Sequence, residues 1–347
     1  MPPVEPACPQ DPAVDPARLD IYLRARIPDL VGPLRLAPVA GGPSNPTFFV
    51  TTDSHRLVLR KQPPGPLLPS AHAVDREFRV VSALAGAGVP VPEALLFCGD
   101  RSVVGTPFYV MARVAGRVFH DGALPGATPP ERRAIYRAMA ETLAALHAVD
   151  PAARGLADYG RPQGFYARQM GRWSEQWRRS RTREDAHVER LIAWLPGQAP
   201  DDPRAGIVHG DFRIGNLMIA PDGPAVAAVL DWELSSLGPP LFDLAHSCIA
   251  WHSAPDQFGG LLGLDLPALG IPSQAEYEAD YHAALERLGV AGPRMTVFHM
   301  VFALFRWSMI FEGIAARARA GTAAGADAGA VGGLAACFAA RAAALIP

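Results

Sequence analysis

One stretch constrains this chain more than any other. It runs Ile207-Val-His209-Gly210-Asp211-Phe-Arg213-Ile-Gly-Asn216-Leu-Met-Ile219, continues through Pro221-Asp-Gly-Pro224, and closes on Val226 to Glu233 with Val-Leu-Asp231-Trp-Glu233. Ile207 and Val208 predict the end of a buried strand. Asn216 to Ile219 and Val226 to Leu230 predict two β-prone runs joined by a turn whose Pro and Gly residues suit it. The result is a hairpin with two carboxylates and an amide at its mouth.

The rest of the chain has to build around that hairpin. With 347 residues, 49% of them hydrophobic and 19% charged, there is enough apolar surface for one large two-lobed domain or two ordinary ones. A formal net charge of -2 lacks the basic balance of a general nucleic-acid binder, so no nucleic-acid partner is expected. Cys8, Cys98, Cys248 and Cys337 are scattered without a C-x-x-C pair, which argues against a zinc cage or a disulfide framework and for a reducing cytoplasm. The first twenty residues have no basic start followed by an apolar run, so no secretory or transit signal is expected. The longest apolar stretch, Phe298 to Ile314, is broken by His299, Arg306 and Glu312. It predicts a buried helix, and no membrane partner.

Three segments organise the chain: a disordered Pro-rich leader over 1–18, an N-terminal lobe over 19–116 and a C-terminal helical lobe over 117–347. Leu19 to Ile27 suits a short helix, and Leu34 to Val39, Thr47 to Thr52 and Leu57 to Lys61 predict an antiparallel meander, turning first at Gly41-Gly-Pro-Ser44-Asn45. Ser70 is placed to cap a helix to Ala85, with Val74, Phe78, Val81 and Leu84 along one face and Glu77 on that same face. An unpaired carboxylate there costs several kcal/mol, so either a cation meets Glu77 or it reaches water from the edge of the stripe. Ser102 to Val114 predicts two more strands. Beyond Glu131 helices dominate: 131–148, 164–195, 241–251, 274–288, 295–319 and an Ala-rich last one. A small antiparallel β lobe before a larger helical lobe is an α+β arrangement.

Phosphoryl transfer needs a glycine-containing turn over the phosphates, a cation on them, a carboxylate to orient the acceptor hydroxyl, and oxygen-type metal ligands. Asp211-x-x-x-x-Asn216 puts a base and an amide at two ends of one loop, and Asp231 follows the paired strand, a spacing that lets Asn216 and Asp231 share one Mg²⁺.

These residues resemble the aminoglycoside phosphotransferase and choline kinase superfamily, which has a protein-kinase-like two-lobe fold. The resemblance rests on His209-Gly-Asp211-Phe-x-x-Gly-Asn216-Leu and Val-Leu-Asp231-Trp-Glu233. Gly41-Gly42-Pro-Ser44-Asn45-Pro-Thr-Phe-Phe, Val-Leu-Arg60-Lys61-Gln-Pro-Pro-Gly, Arg76-Glu77-Phe, Gly-Val-Pro-Val-Pro and Gly105-Thr-Pro-Phe-Tyr-Val-Met111 look like the branch whose members are fused to acyl-CoA dehydrogenases or stand beside them. The resemblance implies ATP or GTP with Mg²⁺, Asp211 as catalytic base, and Asn216 and Asp231 as metal ligands. It also implies Glu77 as the helix carboxylate that pairs with the strand cation, a nucleotide site drawing on Gly42, Ser44, Asn45, Arg60, Lys61, Glu77 and Met111, and His209 and Asp243 as supports of the catalytic loop. A functional link to an acyl-CoA dehydrogenase is implied with it.

One departure concerns the strand cation, which is lysine in much of the superfamily, whereas here Arg60 takes the usual place and Lys61 follows. Alternation sends the two side chains to opposite faces, so only one can meet Glu77; Arg60 is favoured, with Lys61 the rival. There is no G-x-G-x-x-G loop, D-F-G or A-P-E, and Gly210 stands where a protein kinase has arginine. A small-molecule hydroxyl acceptor is therefore expected. Arg161 to Arg204 holds nine arginines against six acids, which suits an anionic or part-apolar acceptor such as a hydroxyacyl-CoA better than a polycation, and suits equally a solvated basic helix face. The alternatives are an aminoglycoside or macrolide kinase, a metal-dependent hydrolase using His209, Asp211 and Asp231, and a nucleotide-binding pseudokinase.

Overall fold

The computed structural model describes residues 14–39, 45–65, 72–200, 204–321 and 328–347. Two compact units emerge. The first runs to Ala115 and takes back residues 228–233; the second holds 116–227 and 234–347. The return of 228–233 to the first unit was not expected from the sequence.

The first unit opens with α1 (Pro16–Arg24), where the Asp15 side chain accepts the amides of Ala17 and Arg18 and Pro16 occupies the first turn. An Asp-Pro pair is a strong helix start. The leader drawn to residue 18 therefore ends too late by three residues, and the helix predicted over 19–27 is shifted towards the N-terminus. Strands β1 (Arg35–Pro38), β2 (Thr47–Thr51) and β3 (Arg56–Lys61) form the expected meander. Helix α2 (Val74–Leu84) follows, with Ala73 at its N-cap and no side-chain cap; Ser70, expected there, lies outside the described residues. Then come β4 (Ala94–Cys98), the single turn α3 (Arg101–Val104) and β5 (Phe108–Ala112).

These strands make an antiparallel sheet in the order β1-β2-β3-β5-β4. The strand expected at Ser102 is the α3 turn instead. Asp100 accepts the Ser102 amide and Gly105 closes the turn at φ +84°, a capped start and a glycine stop that override the apolar run. On one face of the sheet Leu57, Leu59, Phe108 and Val110 pack with Leu19 and Leu23 of α1. On the other face Arg60 lies opposite Tyr109, and α2 brings Glu77 to both.

In the second unit β6 (Arg117–Val118) leads to α4 (Pro129–Ala148), α5 (Phe165–Ser180), α6 (Ala186–Trp194) and β7 (Gly206–Val208). Next are β8 (Leu217–Ile219), β9 (Val226–Val229), within which the chain passes to the first unit, and β10 (Ser236–Gly238). Helices α7 (Leu241–Ser247), α8 (Leu266–Leu269), α9 (Gln274–Arg287), α10 (Val297–Arg319) and α11 (Ala328–Ala344) complete it. β6 pairs with β8, and β7 with β10, both antiparallel.

The single helix expected over 164–195 is α5 and α6, broken at Arg181 because the Asp185 side chain caps α6 through the amides of His187 and Val188. Helix α10 is long and apolar enough to cross a membrane by length and composition alone, and 78% of its apolar window is buried in the protein. His299, Arg306 and Glu312, which interrupt that apolarity, are all buried.

Candidate active site

In the first unit, strand β3 and helix α2 build one cluster of candidate residues. Arg60 Nε lies 2.9 Å from Glu77 Oε2, and Arg60 Nη2 lies 2.5 Å from Asp231 Oδ1 and 3.7 Å from Glu233 Oε2. Glu77 also accepts Asn45 Nδ2 at 2.8 Å and Tyr109 Oη at 3.0 Å. Burial pushes the Glu77 carboxyl up, and the Arg60 guanidinium and the two hydrogen bonds oppose that push. Burial would likewise lower Arg60, but the surrounding carboxylates hold it firmly protonated. Glu77 thus has the cation that its place in the stripe required. Asp231 adopts φ +65°, a left-handed conformation that few non-glycine residues take and that aspartate tolerates better than most.

The same geometry separates Arg60 from Lys61. Lys61 points to the opposite face, is wholly buried, and donates to the Val104 carbonyl at 2.9 Å. It therefore does not join the cluster around Glu77, and the rival reading is corrected. Met111 lies opposite Val58 on β5, two residues beyond Tyr109 and so on the same face as Arg60. Asn45 is in place, whereas Gly42 and Ser44 lie outside the described residues.

Asp211 lies in the second unit, on the loop between β7 and β8. Its Oδ2 accepts Asn216 Nδ2 at 2.8 Å and lies 3.4 Å from Arg213 Nε, and its Oδ1 lies 2.8 Å from His246 Nε2. Burial would raise this carboxyl, yet the bond from His246 and the charge of Arg213 hold it well below the usual carboxylate range. Asp211 is thus ionised at neutral pH. The loop is fixed from α7: the fully buried Asp243 accepts the His209 amide at 2.5 Å and the Gly210 amide at 2.9 Å. His209 Nδ1 in turn accepts the Asp211 amide at 3.2 Å. Gly210 sits at φ +87°, and a Cβ there would lie 2.5 Å from the Leu234 carbonyl oxygen. No side chain, least of all arginine, fits at this position.

The family model described as "Phosphotransferase enzyme family" matches residues 35–294. The chain belongs to that family. The mouse protein named acyl-CoA dehydrogenase family member 10 is 42% identical over 326 residues, which cover 93% of this phosphotransferase family member and 30% of the mouse protein. The human protein named acyl-CoA dehydrogenase family member 11 is 46% identical over 214 residues, 61% of this chain and 27% of its own length. The chain therefore spans less than a third of these curated relatives. A crystal structure from Ralstonia eutropha, of a protein named as a candidate aminoglycoside phosphotransferase, is 40% identical with a TM-score of 0.87 and covers 95% of this chain and 98% of that one. The aminoglycoside phosphotransferase APH(4)-Ia, solved with ADP and hygromycin B, is 17% identical with a TM-score of 0.60, covering 93% and 97%; it shares the fold. The two-lobe kinase-like α+β fold and the phosphotransferase class expected from the sequence are those found.

Two groups at the phosphotransferase loop escaped sequence reasoning. His246 stands one turn after Asp243 on α7 and meets Asp211. Arg306 was noted only as an interruption of an apolar helix. It is buried, with Nη1 3.0 Å from His246 Nδ1 and Nη2 donating to the Gly210 carbonyl at 2.8 Å. A charged residue in the middle of an apolar helix was the available signal. Four of the nine arginines of the basic segment pair with carboxylates: Arg178 and Arg179 with Glu175, Arg181 with Glu184 and Glu189, and Arg183 with Asp185 and the buried Glu312.

Arg213, Ile214 and His246, which flank Asp211 in the chain or touch it, also line a pocket in the second unit with Tyr136, Met139, Ile249, Ala250, Phe258 and Trp307. Its lining residues include no carboxylate.

Proposed function

We propose that this protein transfers the γ-phosphoryl group of ATP to an alcohol, and that the alcohol sits on a largely apolar molecule, an acyl-chain hydroxyl as in a hydroxyacyl-CoA. The observation that carries the reading is Asp211: an ionised carboxylate oriented through both oxygens, on a loop fixed through its backbone, beside an apolar pocket. In this reading Asp211 accepts the hydrogen bond of the acceptor hydroxyl, aims the oxygen at the γ-phosphorus, and takes the proton as the P–O bond forms. Arg60, held by Glu77, meets the nucleotide phosphates, while Asn45 and Tyr109 keep Glu77 in place. ATP is chosen because APH(4)-Ia, of the same fold, is a complex with ADP. The link to an acyl-CoA dehydrogenase is supported by the relatives' names alone.

A divalent cation fits the donor set, which is all oxygen and suits Mg²⁺. Asn216 spends its amide nitrogen on the Asp211 carbonyl and carboxylate, which leaves its carbonyl oxygen as the atom that would meet a cation, and in the first unit Asp231 offers a carboxylate oxygen of the same hard type. Mg²⁺ would neutralise charge on the phosphates. The hydrolase alternative fits less well, because His209 uses Nδ1 within the loop and the family is one of phosphotransferases.

An aminoglycoside acceptor would want acids in its pocket, and the lining around Trp307 and Phe258 has none. The experiment is ATP consumption against hydroxyacyl-CoAs, aminoglycosides, macrolides and amino alcohols, with Asp211→Asn as control. Turnover of a hydroxyacyl-CoA, lowered by about two to four orders of magnitude in kcat in the variant, is expected. Turnover of an aminoglycoside alone would refute the acceptor class, and an unchanged Asp211→Asn would remove Asp211 from the mechanism.

A further inference from the structure

We propose that His246 is a positioning residue for Asp211, locked by Arg306 into the tautomer that carries its proton on Nε2. The inference rests on Asp211 being the base. Its starting point is a donor count. A guanidinium can only donate, so the 3.0 Å contact between Arg306 Nη1 and His246 Nδ1 makes Nδ1 the acceptor and leaves it without a proton. The ring's one remaining proton is on Nε2, which lies 2.8 Å from Asp211 Oδ1. His246 is therefore a neutral donor aimed at the carboxylate.

The arrangement has consequences for both oxygens of Asp211. Asn216 and Arg213 donate to Oδ2 and His246 to Oδ1, so the carboxylate plane is held from both ends while Oδ1 keeps a second lone pair for an acceptor hydroxyl. Arg306 ties the device together, since its other nitrogen donates to the Gly210 carbonyl next to Asp211 in the chain. Helix α7 therefore holds the loop backbone through Asp243 and the reacting side chain through His246, one turn apart. His246 and Arg306 are both buried, and the charged groups facing the imidazole are Asp211, Arg306 and Asp243. A buried histidine that only filled space would not need a guanidinium on one nitrogen and a carboxylate on the other.

The test compares His246→Leu with His246→Gln. Leucine keeps the bulk and removes the donor; glutamine offers an acceptor and a donor about as far apart as the two ring nitrogens, one for Arg306 and one for Asp211. With ATP and the best acceptor of the panel above, the leucine variant should lose about 10- to 100-fold in kcat with the KM for ATP within about twofold of wild type, and glutamine should restore most of the loss. Wild-type turnover in the leucine variant, or a glutamine variant as poor as leucine, overturns the inference. Asp211→Asn run alongside separates the two ideas. If Asp211→Asn is inactive and His246→Leu is not, His246 alone is wrong; if Asp211→Asn is fully active, the base assignment falls and His246 with it. A second readout is independent of whether the leucine variant folds. Ring ¹⁵N spectra of histidine-labelled wild type at pH 7, assigned by the signal lost in His246→Gln, should show a neutral ring protonated at Nε2. A ring protonated at Nδ1, or at both nitrogens, overturns the proposal.

Discussion

Replacing Asp243 by alanine should loosen the loop that carries Asp211 more than any other single change in that loop's surroundings. The Asp243 carboxylate is fully buried and accepts two backbone amides, those of His209 and Gly210. Alanine would orphan both in a site closed to water, at about 1–3 kcal/mol each, so the second unit should lose about 2–6 kcal/mol. Asparagine keeps one acceptor oxygen and should cost about half as much. Urea unfolding followed by far-UV circular dichroism and tryptophan fluorescence measures this, and the activity assay should show kcat falling with it. The pH dependence gives an independent check. Burial pushes the Asp243 carboxyl up, but His147, whose Nε2 lies 3.6 Å from its Oδ2, and the Gly210 amide overcome that push and hold it below its ordinary value. The unfolded chain, with a carboxyl near about 3.9, therefore takes up the proton first. The stabilisation is complete above about pH 4 and fades as pH falls through the lower folded value, so the gap between wild type and the alanine variant should narrow in that window. A loss under about 0.5 kcal/mol, within the range of an ordinary surface substitution, or a gap that widens in acid, would refute the accounting.

Arg60→Ala should destabilise the first unit by about 3 kcal/mol, because the buried Glu77 is left without its cation, and should raise the KM for ATP. Lys61→Met, which removes one bond to the Val104 carbonyl on the opposite face, should reduce stability by about 1–3 kcal/mol and leave that KM unchanged; equal effects on nucleotide binding would undo the distinction between the two residues. Trp307→Ala should raise the KM for an apolar acceptor about tenfold without changing that for ATP, and steady-state kinetics with each substrate varied in turn would expose the opposite pattern.

Much of the candidate site was open to a reader of residues alone because its parts are local. Asp211, Asn216 and Asp231 fall within one hairpin of the chain, and Gly210, which belongs to the same block, is explained by a left-handed φ and the nearby Leu234 carbonyl. Glu77 announced its need for a cation by sitting on an apolar helix face. Strand alternation said that Arg60 and Lys61 must part. Element ends were less legible where a cap outweighed an apolar run, as at Asp15, Asp100 and Asp185, since one hydrogen-bonding side chain can redirect a segment whose hydrophobic pattern continues unbroken.

What the sequence by itself determined, then, was chemistry of short range: residue types, alternation, helical faces and the order of elements. Tertiary structure decided which face each strand presents to which helix, and so gave Arg60 to Glu77 while α1 and its apolar neighbours covered the face of Lys61. It also brought Arg306 to His246 and His246 to Asp211 across 60 and 35 positions of chain. Hydrogen bonds act over about 3 Å, and no periodicity in a linear chain encodes a contact between residues that only the packing of α7 against α10 makes neighbours.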